Sequence, residues 1–130
     1  MTKKIFAEIS IGELLDKISI LEIKLKKIKE KKKLVFIKKE YKILNQLKKK
    51  CKLKKKINIL YKSLRETNNK LWNIENKIRK HEYLNKFDKN FINLARKVYI
   101  TNDKRSEIKL KINSFTKSNI MEMKSYSKYI

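Results

Sequence analysis

An antiparallel all-α helical bundle with coiled-coil-like seams is the fold class this sequence predicts, on three observations. The 130 residues include one Gly and no Pro, whereas turn-rich sheets draw on both. Apolar side chains recur at spacings of three and four along most of the chain, the period of a helix face. Hydrophobic residues make up 41% of the composition, enough for a core and too many for wholesale disorder. Residues 1–130 are therefore expected to form a single helical domain.

The first helix is predicted over 10–30. Ile11, Leu14, Ile18, Leu21, Leu25 and Ile28 form an unbroken heptad seam. Ser10 followed by Glu13 has the spacing of a capping box, which fixes the start. Gly12 falls in the first turn, where it does little harm. The seam fades in the run Lys29 to Lys33, the expected turn.

A second, shorter helix over 34–48 rests on Leu34, Ile37, Tyr41, Leu44 and Leu47. Its phase is lost in the lysine-rich stretch from Lys48 to Lys56. The third, over 56–80, carries Ile57, Leu60, Leu64, Leu71, Ile74 and Ile78, with Thr67 in the seam slot between Leu64 and Leu71. His81 to Asn90 reads as a loop, with Asp88 a candidate N-cap.

The last helix, over 89–115, places Phe91, Leu94, Val98, Thr101, Arg105, Ile108, Ile112 and Phe115 in heptad register. Thr101, Asn102 and Asp103 compete for backbone hydrogen bonds and are its weakest point. Alternation around Ile5, Ala7 and Ile9, and around Met121 and Met123, suits short strands. Segment 1–9 and the tail 116–130 are thus expected to pair as a two-stranded ribbon.

Formal net charge is +24, unevenly spread. Residues 24–62 hold 18 Lys against Glu30 and Glu40. Such a block suits contact with a polyanion, whether nucleic acid or an anionic membrane face. It also suits a solvated helix face in a lysine-biased chain. It has almost no Arg, Gly or interleaved aromatics, which nucleic-acid surfaces usually carry, so nucleic-acid binding is not favoured. The first 25 residues lack an uninterrupted apolar stretch and no segment nears the ~20 apolar residues of a membrane span. Cys51 is the lone cysteine, which fits a reducing compartment. A cytoplasmic protein is expected.

Of the 37 basic residues 33 are lysine, and the four arginines, with the single Trp and the single His, all fall between Arg65 and Arg105. Arg offers a planar, bidentate fork that Lys lacks. Asn68, Trp72, Glu75, Arg79 and Glu82 share one helix face by spacing. Arg96, Tyr99 and Asp103 form another such stripe, with Asn102 and Arg105 beside it. Arg105 lies on the apolar seam and needs a partner there; Glu75 and Asp103 are the obvious ones by charge.

Two readings of these residues stand. One is a polar layer that fixes helix register. The other is an arginine-lined cavity with Trp72 and Tyr99 as walls, suited to a small anion. The second would extend to a cofactor-free helical enzyme of the kind chorismate mutases exemplify, and it requires Arg79, Arg96 and Arg105 to converge. No metal or cofactor is implied: there is no Cys/His cluster and no Gly-rich loop. His81 reads as a capping or surface residue.

Three stretches resemble a known family. Ile9 through Leu25, Asn68 through Arg79, and Phe91 through Arg105 are similar to motifs of a bacterial family known as domain of unknown function 6165. Lys124-Ser125-Tyr126 fits as well. The resemblance implies a small, cytoplasmic, mostly helical protein with no established activity. It further implies that some members occur near or fused to sugar-transfer and tetratricopeptide-type proteins, hence a cell-surface polysaccharide context. Two features depart from the pattern: Glu30-Lys31 replaces an Asp-Pro turn, and the basic middle block stands where members are acidic or balanced. The leading expectation is a non-enzymatic helical binding or adaptor protein, meeting a protein partner or a second copy through its helical seams.

Overall fold

The computed structural model describes residues 3–130. It contains four helices, α1 (Ile11–Lys27), α2 (Lys31–Lys50), α3 (Lys55–Tyr83) and α4 (Lys89–Phe115), and no strand among the described residues. The all-helical prediction holds.

Helices α1 and α4 start at side-chain caps, whereas α2 and α3 start without one. At α1 the Ser10 hydroxyl accepts from the Glu13 N–H at 3.1 Å, half of the expected box. The Glu13 carboxylate turns instead to Lys109, at 2.8 Å. Asp88 caps α4 by accepting from the Phe91 N–H at 3.0 Å.

With one Gly in the chain, two helices close through non-glycine residues in the left-handed region, Asn85 (φ 53°) after α3 and Lys117 (φ 51°) after α4. At both ends the backbone makes the paired 6→1 and 5→2 bonds of a Schellman turn, Lys86 N to His81 O (2.9 Å) with Asn85 N to Glu82 O (3.1 Å), and Ser118 N to Asn113 O (2.9 Å) with Lys117 N to Ser114 O (3.3 Å). Lys52 (φ 48°) holds the same conformation after α2. A lysine there carries a Cβ penalty that glycine would not.

Helix α1 packs against all three others, and α3 against α4, while α2 packs on α1. The core is formed by Leu14, Leu15 and Ile18 of α1, Ile57, Tyr61 and Leu64 of α3, and Ile108 and Ile112 of α4; Tyr41 and Leu44 of α2 cover one side. Burial on α1 is wider than the predicted seam. Leu15, Asp16, Ser19 and Ile23 are buried beside Leu14, Ile18 and Leu21. A helix enclosed on three sides needs a broad apolar face, whereas a coiled-coil seam is narrow, so the observed α1 packing is that of a bundle.

On α3 no residue beyond Asn68 is fully buried, and on α4 none before Ile108. Half-buried Leu71, Ile74 and Ile78 of α3 and Phe91, Leu94 and Val98 of α4 mark the inward stripe of this stretch. At 1.5 Å per residue α3 is about 43 Å long and α1 about 25 Å. The α3–α4 pair is therefore a two-helix arm standing on a four-helix base.

The weak point of the last helix holds, and the terminal ribbon is corrected. Helix α4 runs unbroken through Thr101–Asp103; Asp103 accepts from Tyr129 of the tail and Asn102 Oδ1 from Arg105 Nη1 at 3.5 Å, so neither side chain takes a backbone group from the ladder. The terminal ribbon is absent among the described residues; Met1 and Thr2 of the proposed first strand lie outside them. The two ends approach only through side chains, Asn119 Nδ2 donating to Glu8 Oε2 at 3.0 Å. Residues 3–9 and 119–130 are exposed on both faces, so alternation has nothing to bury, and an isolated two-stranded ribbon is marginal.

Gly12 is also more than a tolerated residue. Its N–H donates to Asn113 Oδ1 at 2.8 Å. A Cβ at this position would lie 2.6 Å from that oxygen and 2.8 Å from the Lys109 carbonyl. The glycine lets α1 press its first turn against the α4 backbone.

Candidate functional site: a buried polar layer

Where α1, α3 and α4 cross, a carboxylate lies inside the core. Asp16 is 2% exposed, its partner Arg105 27%. The guanidinium grips it bidentately: Arg105 Nε donates to Oδ1 at 2.9 Å and Nη2 donates to Oδ2. Asn68 Nδ2 donates to Asp16 Oδ1 at 2.8 Å and to Ser19 Oγ at 2.7 Å. The Ser19 hydroxyl in turn donates to the Asp16 carbonyl at 2.8 Å. Lys109 Nζ stands 3.6 Å from Asp16 Oδ2, 2.8 Å from Glu13 and 3.5 Å from Glu122 of the tail.

This layer is closed. No buried side-chain nitrogen or oxygen among the described residues lacks a hydrogen-bond partner. Burial pushes the Asp16 carboxyl up, but the hydrogen bonds from Arg105 and Asn68 and the charges of Arg105 and Lys109 outweigh it, holding Asp16 below its ordinary value. The hydrogen bond to Asp16 raises Arg105 above its ordinary value, against a smaller opposing effect of burial. Three hydrogen bonds and the charge of Lys109 commit this ionised carboxylate to the helices around it. Its chemistry is that of a clamp joining three helices.

A second pair flanks it. Tyr61 donates to Glu22 Oε1 at 2.6 Å, and Arg65 Nη1 to Glu22 Oε2 at 2.9 Å. Burial and the Glu22 carboxylate push the Tyr61 phenol well above its ordinary value. Arg65, on no stripe by spacing, thus has a specific partner.

The sequence-predicted site residues divide. Trp72, Glu75, Arg79, Asn102 and Arg105 line one groove of about 450 Å³, with Ile20 and Ile23 of α1 on its wall. Tyr99 and Asp103 face the opposite way, into a cavity of about 1040 Å³ beneath the tail, with Asn102 and Arg105 on its border. There Tyr129 donates to Asp103 Oδ2 at 2.6 Å and meets the Tyr99 ring edge-on, centroids 5.1 Å apart. Arg96 is exposed, lines neither space and makes no ion pair among the described residues.

The expected partners of Arg105 are also replaced. Glu75 pairs with Arg79 at 3.5 Å, Asp103 binds the tail, and Arg105 takes Asp16. Arg79 and Arg105 border one groove, but Arg96 does not join them, so the three do not converge. His81 is engaged locally, its Nδ1–H donating to the Lys77 carbonyl at 2.9 Å.

Sequence reasoning missed Asp16, Ser19, Lys109 and Asn113. One signal was available. Asp16 and Ser19 interrupt the apolar run from Leu14 to Ile20 at a three-residue spacing, which puts both on one face. In a helix buried on three sides such a face meets other helices, so the polar pair demands partners.

A family model described as Family of unknown function (DUF6165) matches the chain over residues 5–130. No curated protein and no solved structure matches it.

Proposed function

This chain belongs to the family of unknown function DUF6165 across residues 5–130, and we propose that it is a non-enzymatic helical adaptor. Its base is locked by the Asp16 layer, and its α3–α4 arm presents the tip to a protein partner. The observation that carries this reading is the arm's end. Tyr83, Leu84, Phe87 and Ile92 lie exposed there, Tyr83 at 86%, around the α3–α4 turn. Large apolar side chains gathered at an accessible end favour a docking surface. The sugar-transfer context implied by the family resemblance would make that partner a component of a cell-surface polysaccharide system, with the adaptor acting in the cytoplasm.

A photocrosslinking residue placed at Phe87 tests the reading. A discrete heteromeric adduct, lost in the Tyr83→Ser/Ile92→Ser background and absent with the crosslinker at Lys111, is the expected result. A clean monomer with no reproducible adduct from Phe87 would contradict it.

A second reading has one observation in its favour. Trp72, Arg79 and Arg105 border the same groove, which suits a small anion. Arg105 is already committed to Asp16 and Arg79 to Glu75, so such a ligand would have to compete with both carboxylates. Titration with inorganic phosphate, read by Trp72 fluorescence, checks it: saturable quenching that Arg79→Gln removes supports the groove, and a flat response removes this alternative.

A further inference from the structure

Helix α2 has no buried residue and uses only part of its circumference on the bundle. Tyr41 and Leu44 face the core. Phe36, Ile43 and Leu47 are exposed, Phe36 at 75%. At 100° per residue these three fall within an arc of about 40°, its centre about 110° round the helix from that of Tyr41 and Leu44. Lys32, Lys39 and Lys50, all exposed, run along one edge of that arc. Lys33 stands at the other edge, where Glu40 is the lone acid of the helix. Lys52, Lys54 and Lys55 are exposed beyond the end of the helix, while Lys56 turns to α4, its Nζ 4.1 Å from the Phe115 ring centroid.

A solvated charged face would have no use for three large apolar side chains in line. A nucleic-acid surface would interleave arginine or stacking aromatics, and only Phe36 could serve. An apolar stripe edged on one side by free lysines, with Lys33 paired to Glu30 on the other, on a helix lying flat on its protein matches the interface between acyl chains and anionic headgroups. We propose that the outer face of α2 docks on an anionic lipid surface. Phe36, Ile43 and Leu47 enter the headgroup boundary, and the flanking lysines meet the phosphates. No helix of the described residues is long and apolar enough to cross a membrane, so contact is peripheral. This surface lies on a different helix from the arm's tip, and either could fail without the other.

The test is sedimentation of the full chain with phosphatidylcholine vesicles, with and without about a third phosphatidylglycerol. The expected result is binding to the anionic vesicles only. It should weaken by about tenfold or more in Phe36→Ser/Ile43→Ser/Leu47→Ser, and by about a hundredfold in Lys32→Gln/Lys39→Gln/Lys50→Gln. Retention of the apolar variant on a heparin column should stay unchanged, since its charge is intact. Phe36→Ser alone serves if the triple variant loses its helical circular dichroism. Equal binding to zwitterionic vesicles, or an apolar variant that binds as the parent does, overturns the proposal. So does failure on vesicles alongside tight, salt-sensitive binding of single-stranded poly-uridylate, which would assign the lysines to nucleic acid.

Discussion

At Asp16 one carboxylate answers to α1, α3 and α4 at once, and the consequences are measurable. Removing one member of a buried ion pair leaves the other uncompensated, which costs about 3–5 kcal/mol. Asp16→Asn should fall in that range by urea unfolding, with the slope against urea unchanged. The pH dependence follows from the direction of the shift. Asp16 is held below its ordinary 3.8 in the fold. Its stabilisation is therefore complete above that value and lost as pH falls through the lower folded one. Acid unfolding below about pH 4 should be shallower in Asp16→Asn than in the parent. Gly12→Ala drives a methyl against the Asn113 amide and the Lys109 carbonyl, and should cost about 1–3 kcal/mol; a cost within the ~0.5 kcal/mol typical of surface substitutions would show that the α1–α4 contact is looser than described.

Among the elements, the helix ends and the arm behave differently. Lys52 and Lys117 adopt the left-handed conformation that glycine takes without strain. Lys52→Gly and Lys117→Gly should each stabilise by about 0.5–1 kcal/mol, visible as a higher urea midpoint. Unchanged or lowered midpoints would mean that these turns are held by side-chain contacts rather than by backbone preference. The arm lacks fully buried residues, whereas α1 is enclosed. Amides from Leu71 to Ile100 should exchange through local openings of lower free energy than those of Leu14 to Ile18. Equal protection in both would mean that arm and base unfold as one unit.

For the whole molecule, the sequence disclosed the four helices because three-and-four spacing and two capping residues, Ser10 and Asp88, are local signals. Their boundaries shifted by a few residues where lysine runs blurred the phase. The terminal ribbon failed because alternation alone does not supply a face to bury. The site was half legible. Arg105 stood out as a charge on an apolar seam, and its need for a partner followed. The partner itself did not, since Asp16 lies 89 positions away and only the enclosure of α1 by three helices makes that face internal. The stretches that resemble the family each contribute: Asp16 and Ser19 from the first, Asn68 from the second, Arg105 from the third. The arginine contrast thus marked one end of a lock that spans all three. A double-mutant cycle on Asp16→Leu and Arg105→Met, followed by urea unfolding, tests that lock most directly. Each single variant should lose about 3–5 kcal/mol, and the double variant should recover much of it, a coupling of about 2 kcal/mol or more. Losses that add within about 0.5 kcal/mol would contradict the account and return Arg105 to the ligand-binding reading.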